Sequence, residues 1–295
     1  FRLRLAKQAG HTDKIEEYAN DWTTRAMEVD GLLQASVWET AGQLLSRLGY
    51  HKESIAWLER AYRDDSEKFR PYILGLTRAR RFDEAIRLCT EQYAADHAAN
   101  TASVLADVAV LMGLGIQARP LSQKEEAVLQ QALQEHPKNA SLLEAVATMR
   151  LAQERYSEAI PLYLESAKFS PNNVRLLNNL AMALSEISGR EREAIPYARR
   201  AIKLYGRSPE LLDTLGLVLV RNDEGKEAEQ VLREAVNASP DPRYRFHLLV
   251  ALLDQGKRVE AISQWSKLDL NALKKSALTP AERRDLNKVR KRFES

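Results

Sequence analysis

Five histidines could bind a metal or move protons, but they stand far apart at His11, His51, His97, His136 and His247. None has a second histidine four residues on and none belongs to an H-E-x-x-H pattern, so the sequence supports no metal site and ordinary surface or groove histidines are expected. His247 is set apart only by lying on the first helix of a helical pair. Gly113-Leu114-Gly115-Ile116-Gln117-Ala118 matches the dinucleotide pattern G-x-G-x-x-A. That chemistry needs a strand before the glycines and a helix starting within them. Here the preceding run Val104–Met112 has helical alanine spacing and Pro120 follows at once, so the segment reads as a helix end and a loop. Cys89 lies among Ala85, Ile86 and Leu88 with no base near it in sequence, which predicts a buried, inert thiol.

Carboxylates are abundant, yet each cluster (Glu16/Glu17, Asp64/Asp65, Glu125/Glu126) falls on a solvated helix face or a turn. No pair has the setting of a general acid and base. Asn139-Ala140-Ser141 and Asn237-Ala238-Ser239 fit the glycosylation acceptor pattern, but both sit where helices meet and Pro240 follows the second. Trp22, Trp38, Trp57 and Trp265 occupy positions with packing spacing and are expected in the core. The sequence therefore assigns no catalytic residue, no cofactor and no metal, and the protein is expected not to be an enzyme.

The elements that carry these residues repeat. Segments 138–173, 172–208, 208–241 and 241–268 each read as an apolar-periodic helix, a short polar turn and a second helix opened by a charged residue and alanine. The opening alanines Ala159, Ala194, Ala228 and Ala261 are 35, 34 and 33 residues apart. Apolar residues recur at helical intervals, as in Leu142, Leu143, Val146 and Ala147, then Ile160, Tyr163, Leu164 and Ala167. Neither helix of a unit can bury its stripe alone; stacking neighbours buries both.

Composition agrees. A hydrophobic fraction of 44% supports a continuous core, while 12 glycines and 10 prolines are too few for disorder or a turn-dense β protein. The net charge of +3 describes a solvated surface of mixed sign and argues against nucleic acid as the main ligand. From Asp269 onward eight basic residues face four acidic ones, so this segment carries the surplus. A single cysteine excludes an internal disulfide framework and fits a reducing, cytoplasmic setting, although a periplasmic or membrane-associated whole protein would fit the same count. No apolar run reaches the ~18 residues of a membrane span. The chain begins at Phe1 without methionine and is expected to be a piece of a longer protein.

A helix-turn-helix unit of ~34 residues with the pattern W-x2-L-G-x2-Y…A-x3-F…A…P is the tetratricopeptide repeat. The chain resembles that family along nearly its whole length. Trp38, Ala41, Gly42 and Leu45 match the first helix of an early repeat, with Ser54, Leu58 and Ala61 in its second. Leu177, Leu180, Ala181 and Leu184 match later, as do Leu212, Leu215, Gly216 and Leu219. Tandem units are expected over 35–270, starting near residues 35, 66, 99, 140, 174, 209 and 242. Residues 1–34 would form an N-terminal helix pair (Arg2–Ala9 and Thr12–Glu28), and 271–295 a basic capping helix opened by Thr279, Pro280 and Glu282. The unit at 66 carries Pro71 in its first helix, and the unit at 99 an insertion over 114–122. The expected fold is all-α, a right-handed superhelical α-solenoid of roughly fourteen to sixteen helices.

The resemblance implies that first helices line the concave face and that a partner protein or peptide binds there. Carried over position by position, the ligand groove comprises Glu39, Gln43 and Arg47; Arg70 and Arg78; Glu144 and Thr148; Arg175, Asn178 and Met182; Asp213 and Arg221; and Phe246. A clamp for acidic C-termini is not expected, because Glu144 and Asp213 flank Asn178, Asn179 and Arg175. An asparagine ladder fails too, since Ala145, Thr214 and His247 stand at the equivalents of Asn179. The expected role is a scaffold or adaptor for a protein or peptide, as a monomer, with no nucleic-acid ligand. The alternative is a regulatory or substrate-binding region of an enzyme whose catalytic domain lies elsewhere.

Overall fold

The computed structural model describes residues 14–28, 34–113, 120–276 and 278–293. Among these it contains seventeen α-helices and no strand. The fold is all-α, built of helix-turn-helix repeats. The count exceeds the expected fourteen to sixteen because a short element such as the six-residue Leu270–Lys275 is too brief to show a period. Contacts divide the chain into two compact units, residues 1–112 with 121–132, and residues 113–120 with 133–295.

The first unit holds α1 (Lys14–Met27), α2 (Gln34–Arg47), α3 (His51–Asp64), α4 (Phe69–Arg78), α5 (Phe82–Asp96) and α6 (Ala99–Gly113), with most of α7 (Gln123–Glu135). α2 and α3 pack through Trp38, Ala41, Leu45, Trp57 and Ala61. Trp38 donates its indole N–H to Asp64 at 2.9 Å, which satisfies the polar end of a mostly buried ring. Trp22 departs from the expectation of a core tryptophan and is 38% exposed. Pro71 is the third residue of α4, where its missing N–H has no intrahelical partner to lose. The run before the Gly113 motif is helix α6, so no strand precedes it. The helix Arg2–Ala9, His11 and residues 114–119 of the insertion lie outside the described residues.

In the second unit the pairs are α8/α9 (Ala140–Ala152, Tyr156–Phe169), α10/α11 (Val174–Ser185, Glu191–Tyr205), α12/α13 (Pro209–Arg221, Gly225–Ala238) and α14/α15 (Pro242–Asp254, Arg258–Ser266). Two further helices follow, α16 (Leu270–Lys275) and α17 (Pro280–Phe293). Each first helix starts at a side-chain cap that accepts a backbone N–H: Asn139, Asn173, Ser208 and Asp241. This is what the acceptor-like Asn139 does. Within pairs the chain reverses through one left-handed residue, Glu154, Gly189, Asp223 or Gly256. Three of these turns carry the long-range N–H to C=O bond of a helix-ending glycine motif, Arg155 to Arg150, Glu224 to Leu219 and Lys257 to Leu252.

First and second helices touch where side chains are smallest. A Cβ on Gly216 would stand 2.4 Å from Cγ of Leu232, and one on Gly42 2.6 Å from Cγ of Leu58. Leu176, Leu180, Leu212, Leu215, Tyr163 and the small Ala181, Ala194 and Ala198 make one continuous cluster. Arg199–Glu227 and Arg233–Glu260 tie successive second helices, and Arg207–Glu234 ties the loop after α11 to α13. These exposed pairs contribute at most about 1 kcal/mol each.

Candidate functional site

The groove positions of the first unit are Glu39, Gln43, Arg47, Arg70 and Arg78. Gln43 donates to Glu39 at 2.7 Å, and the other oxygen of Glu39 lies 3.1 Å from the Lys68 ammonium. That hydrogen bond and the charge behind it raise the Lys68 pKa. Arg70 donates to Asp107 at 2.6 Å. Arg78 reaches the Ser46 hydroxyl at 3.5 Å, and Arg47 is exposed. The row is polar and largely knotted to itself.

In the second unit, first helices α8, α10, α12 and α14 present Glu144, Asn178, Asp213 and Phe246 at equivalent positions. All four are buried, at 5%, 7%, 8% and 1% exposure. They form the floor of the first-helix face and do not project from it. The reason is packing: α8, α10, α12 and α14 sit side by side, so the fifth position of each points into the seam with its neighbour. Glu144 accepts from the Asn173 amide at 2.7 Å, and its second oxygen lies 2.9 Å from the Arg175 guanidinium. Asn173 also caps α10, so one amide ties a repeat boundary to the neighbouring floor. Thr148 is used internally, accepting from Tyr163 at 3.0 Å. Asn178 carries a buried Oδ1 without a hydrogen-bond partner. Arg175, Met182 and Arg221 reach outward, Arg221 to within 3.2 Å of Glu186.

Phe246 departs furthest from the ligand-facing role. It packs with Leu249, Leu268 and Leu273 and with Leu286 and Val289 of α17, so the chain covers this position itself. Phe293 at the end of α17 stacks on Trp265 at 5.5 Å. α17 opens with a reciprocal cap: Thr279 N–H donates to Glu282 at 2.6 Å and Glu282 N–H to the Thr279 hydroxyl at 3.2 Å. Glu282 therefore spends one oxygen on the helix start. Its other oxygen accepts from His247 Nε2 at 2.9 Å, while Asp213 accepts from His247 Nδ1 at 2.8 Å.

His247 thus stands between two carboxylates on three different helices. Burial works against its charge, but Asp213 and Glu282 together outweigh burial and push its pKa up to about 10. For Glu282, burial opposes ionisation and the imidazolium overcomes it, leaving the pKa lowered. A second tie joins α17 to the α8/α9 turn, where the Arg284 fork binds both oxygens of Glu154 at 2.9 and 3.0 Å. The sequence places Glu282 in the cap of α17, but the pairings His247–Glu282 and Arg284–Glu154 are not legible in it. The positive side chains of the closing segment and the lone histidine of a first helix were the available signals.

Beside α17 the first-helix face keeps a cavity of about 260 Å3, walled by Leu151, Met182, Leu217, Val220, Phe246 and Val250 among others. Nothing in this arrangement resembles a catalytic constellation. Cys89 is fully buried, and burial pushes its thiol pKa far up, so it is a packing residue. Among the described residues no group of three or more His, Cys, Asp or Glu could hold a metal ion, and no helix is long and apolar enough to cross a membrane.

Models of the tetratricopeptide repeat match residues 35–63, 123–174 and 214–267. Those segments of the chain carry tetratricopeptide repeats. The chain is similar to the TPR repeat-containing protein PA4667 of Pseudomonas aeruginosa, at 29% identity over 142 residues. That match covers 45% of this chain and 23% of the relative, so the chain spans about a quarter of that protein's length. Among solved structures, a tetratricopeptide repeat protein from Parabacteroides merdae superposes with TM-score 0.54 at 12% identity, covering 85% of this chain and 96% of the other. A chain of the APC/C hetero-tetramer Cut9–Hcn1 superposes with TM-score 0.56 at 16% identity, covering 85% of this chain and 48% of the other. These two likenesses concern the fold. The fold is that of a protein-interaction scaffold in general.

Proposed function

We propose that the chain is a non-enzymatic scaffold that binds a segment of a partner protein along the concave face formed by its first helices, centred on Arg175, Asn178 and Met182 with Glu144 and Asp213 beneath them. The observation that carries the reading is the Asn178 amide. Its Oδ1 is buried with no hydrogen-bond partner, and a buried acceptor left unmade costs about 1–3 kcal/mol. A bound segment that displaces the cover of this oxygen would bring a backbone N–H to it. Arg175, with its side chain 69% exposed, stands beside it to meet a carboxylate or carbonyl of the same segment. Met182 offers adaptable apolar contact.

The test compares the whole chain with the double variant Arg175→Glu, Asn178→Ala in pull-downs from a lysate of its own source. A partner retained by the parent should be lost at least ~10-fold by the variant, which is 1.4 kcal/mol or more of binding free energy. Both proteins should keep a helical spectrum and a cooperative melt. The variant's midpoint should fall, because Arg175→Glu sets a second carboxylate beside buried Glu144 and Asn178→Ala empties part of the seam, so binding is compared below both midpoints. Equal binding by both would move the interface to another surface.

A further inference from the structure

The cavity beside α17 has a built chemistry of its own. Its walls come from the first helices α8, α10, α12 and α14 on one side and from Ala281, Glu282 and Asp285 of α17 on the other. Empty apolar cavities of about 150 Å3 already admit benzene, so about 260 Å3 accommodates one bulky side chain. The charges around it are unbalanced. Glu154, Glu186, Asp254, Glu282 and Asp285 face the space, against Arg221 and His247.

Four of those carboxylates are already engaged. Glu154 holds Arg284, Glu186 holds Arg221, Glu282 holds His247, and Asp285 lies 3.0 Å from Lys288. Asp254 is different. It ends α14 at the cavity mouth, exposed, with no hydrogen bond or ion pair among the described residues. Partial desolvation raises its pKa, Arg221 pulls it back and Asp285 raises it again, so its charge is under-compensated.

The chain's own α17 shows what this face accepts. That helix sets Leu286 and Val289 on the apolar floor and its Arg284 on Glu154, an apolar side chain with a cation close by in sequence. We propose that the remaining cavity is an anchor site for the partner of the scaffold reading, on which this inference rests. It takes one bulky apolar side chain, with an adjacent lysine or arginine of the same segment held by Asp254. α17 completes the site by forming its outer wall, and Met182 lies against the bound side chain.

Three probes with a common phenylalkyl body separate the apolar and ionic parts: 4-phenylbutylammonium, 4-phenylbutan-1-ol and 4-phenylbutyrate, each titrated into the whole chain. The readout is the methyl carbon resonance of Met182, assigned by its loss in Met182→Leu. Met149, fully buried and not lining the cavity, serves as the internal control. The ammonium compound should shift Met182 and bind about fivefold tighter than the alcohol, the advantage expected of one exposed ion pair. The butyrate should bind weakest. Asp254→Asn should bring ammonium and alcohol to the same affinity, and Leu217→Trp, which fills the space, should abolish all three.

A silent Met182, an equal or tighter butyrate, or an unchanged preference in Asp254→Asn would overturn the anchor site. The double variant Arg175→Glu, Asn178→Ala should still bind the ammonium probe, because neither residue lines the cavity. If that variant loses a partner while Met182 stays silent in the parent, the scaffold reading stands and the anchor site falls.

Discussion

Replacing His247 by glutamine should loosen α17 from the second unit more than any other single change to its polar contacts. The imidazolium is 5% exposed and lies within 2.9 Å of both Asp213 and Glu282, so removing it leaves two carboxylates facing each other with one cation fewer. Breaking a buried ion pair from one side costs about 3–5 kcal/mol. The raised pKa points the same way, since Asp213 and Glu282 hold the proton on the folded protein more tightly than the unfolded chain does. The sign follows from the direction of the shift. A raised histidine pKa contributes stability that is complete below about pH 6.5 and is lost as pH climbs through about 10. Glu282, with its pKa lowered from 4.5, contributes above that value and loses its part on acidification. Docking of α17 should therefore be firmest between these limits. Trp265, stacked on Phe293, is the one tryptophan of the second unit, so 5-fluorotryptophan labelling with 19F NMR reports the contact directly. In the parent its resonance should move toward the undocked position between pH 7 and 10, and in His247→Gln it should be displaced already at pH 6. The neutral triple variant Asp213→Asn, His247→Gln, Glu282→Gln should recover most of the docking. A His247→Gln protein whose Trp265 resonance and urea midpoint match the parent at pH 6 would refute the reasoning.

Two further outcomes follow from packing. Gly216→Leu should lower stability by about 1–3 kcal/mol, because a Cβ there already meets the fully buried Leu232 at 2.4 Å; unchanged thermal unfolding by circular dichroism would show that the α12/α13 contact is misread. Removing residues 279–295 takes away Leu286, Val289 and Phe293 and uncovers Phe246, Leu249 and Trp265. The exposed patch should drive association visible in sedimentation, and a truncated chain that stays monomeric with the parent's melting temperature would show that α17 contributes no cover.

Local periodicity was enough to read the class of fold. Alanines recurring every 33–35 residues, glycines at Gly42 and Gly216, and the Thr279–Glu282 cap are short-range signals, and short-range hydrogen bonds and helix packing realise them within one repeat. Cys89 was legible as a packing residue for the same reason. The polar chemistry of the first-helix face was not legible in this way. Repeat position says that Glu144, Asn178, Asp213 and Phe246 are equivalent. Only the stacking of α8, α10, α12 and α14 decides that all four sit in the seam, with Phe246 under Leu286 and Val289. Arg284 and Glu154 are 130 residues apart, and His247 reaches Asp213 and Glu282 across 34 and 35. A linear pattern carries no record of which charges meet after such loops close. Sequence by itself determined the paired helices of the repeats and the cap of α17, because those depend on neighbours within about four residues or one repeat. Tertiary structure alone decided that the basic closing helix lies on the first-helix face, because its position is set by desolvated charges and apolar contacts drawn from several helices at once.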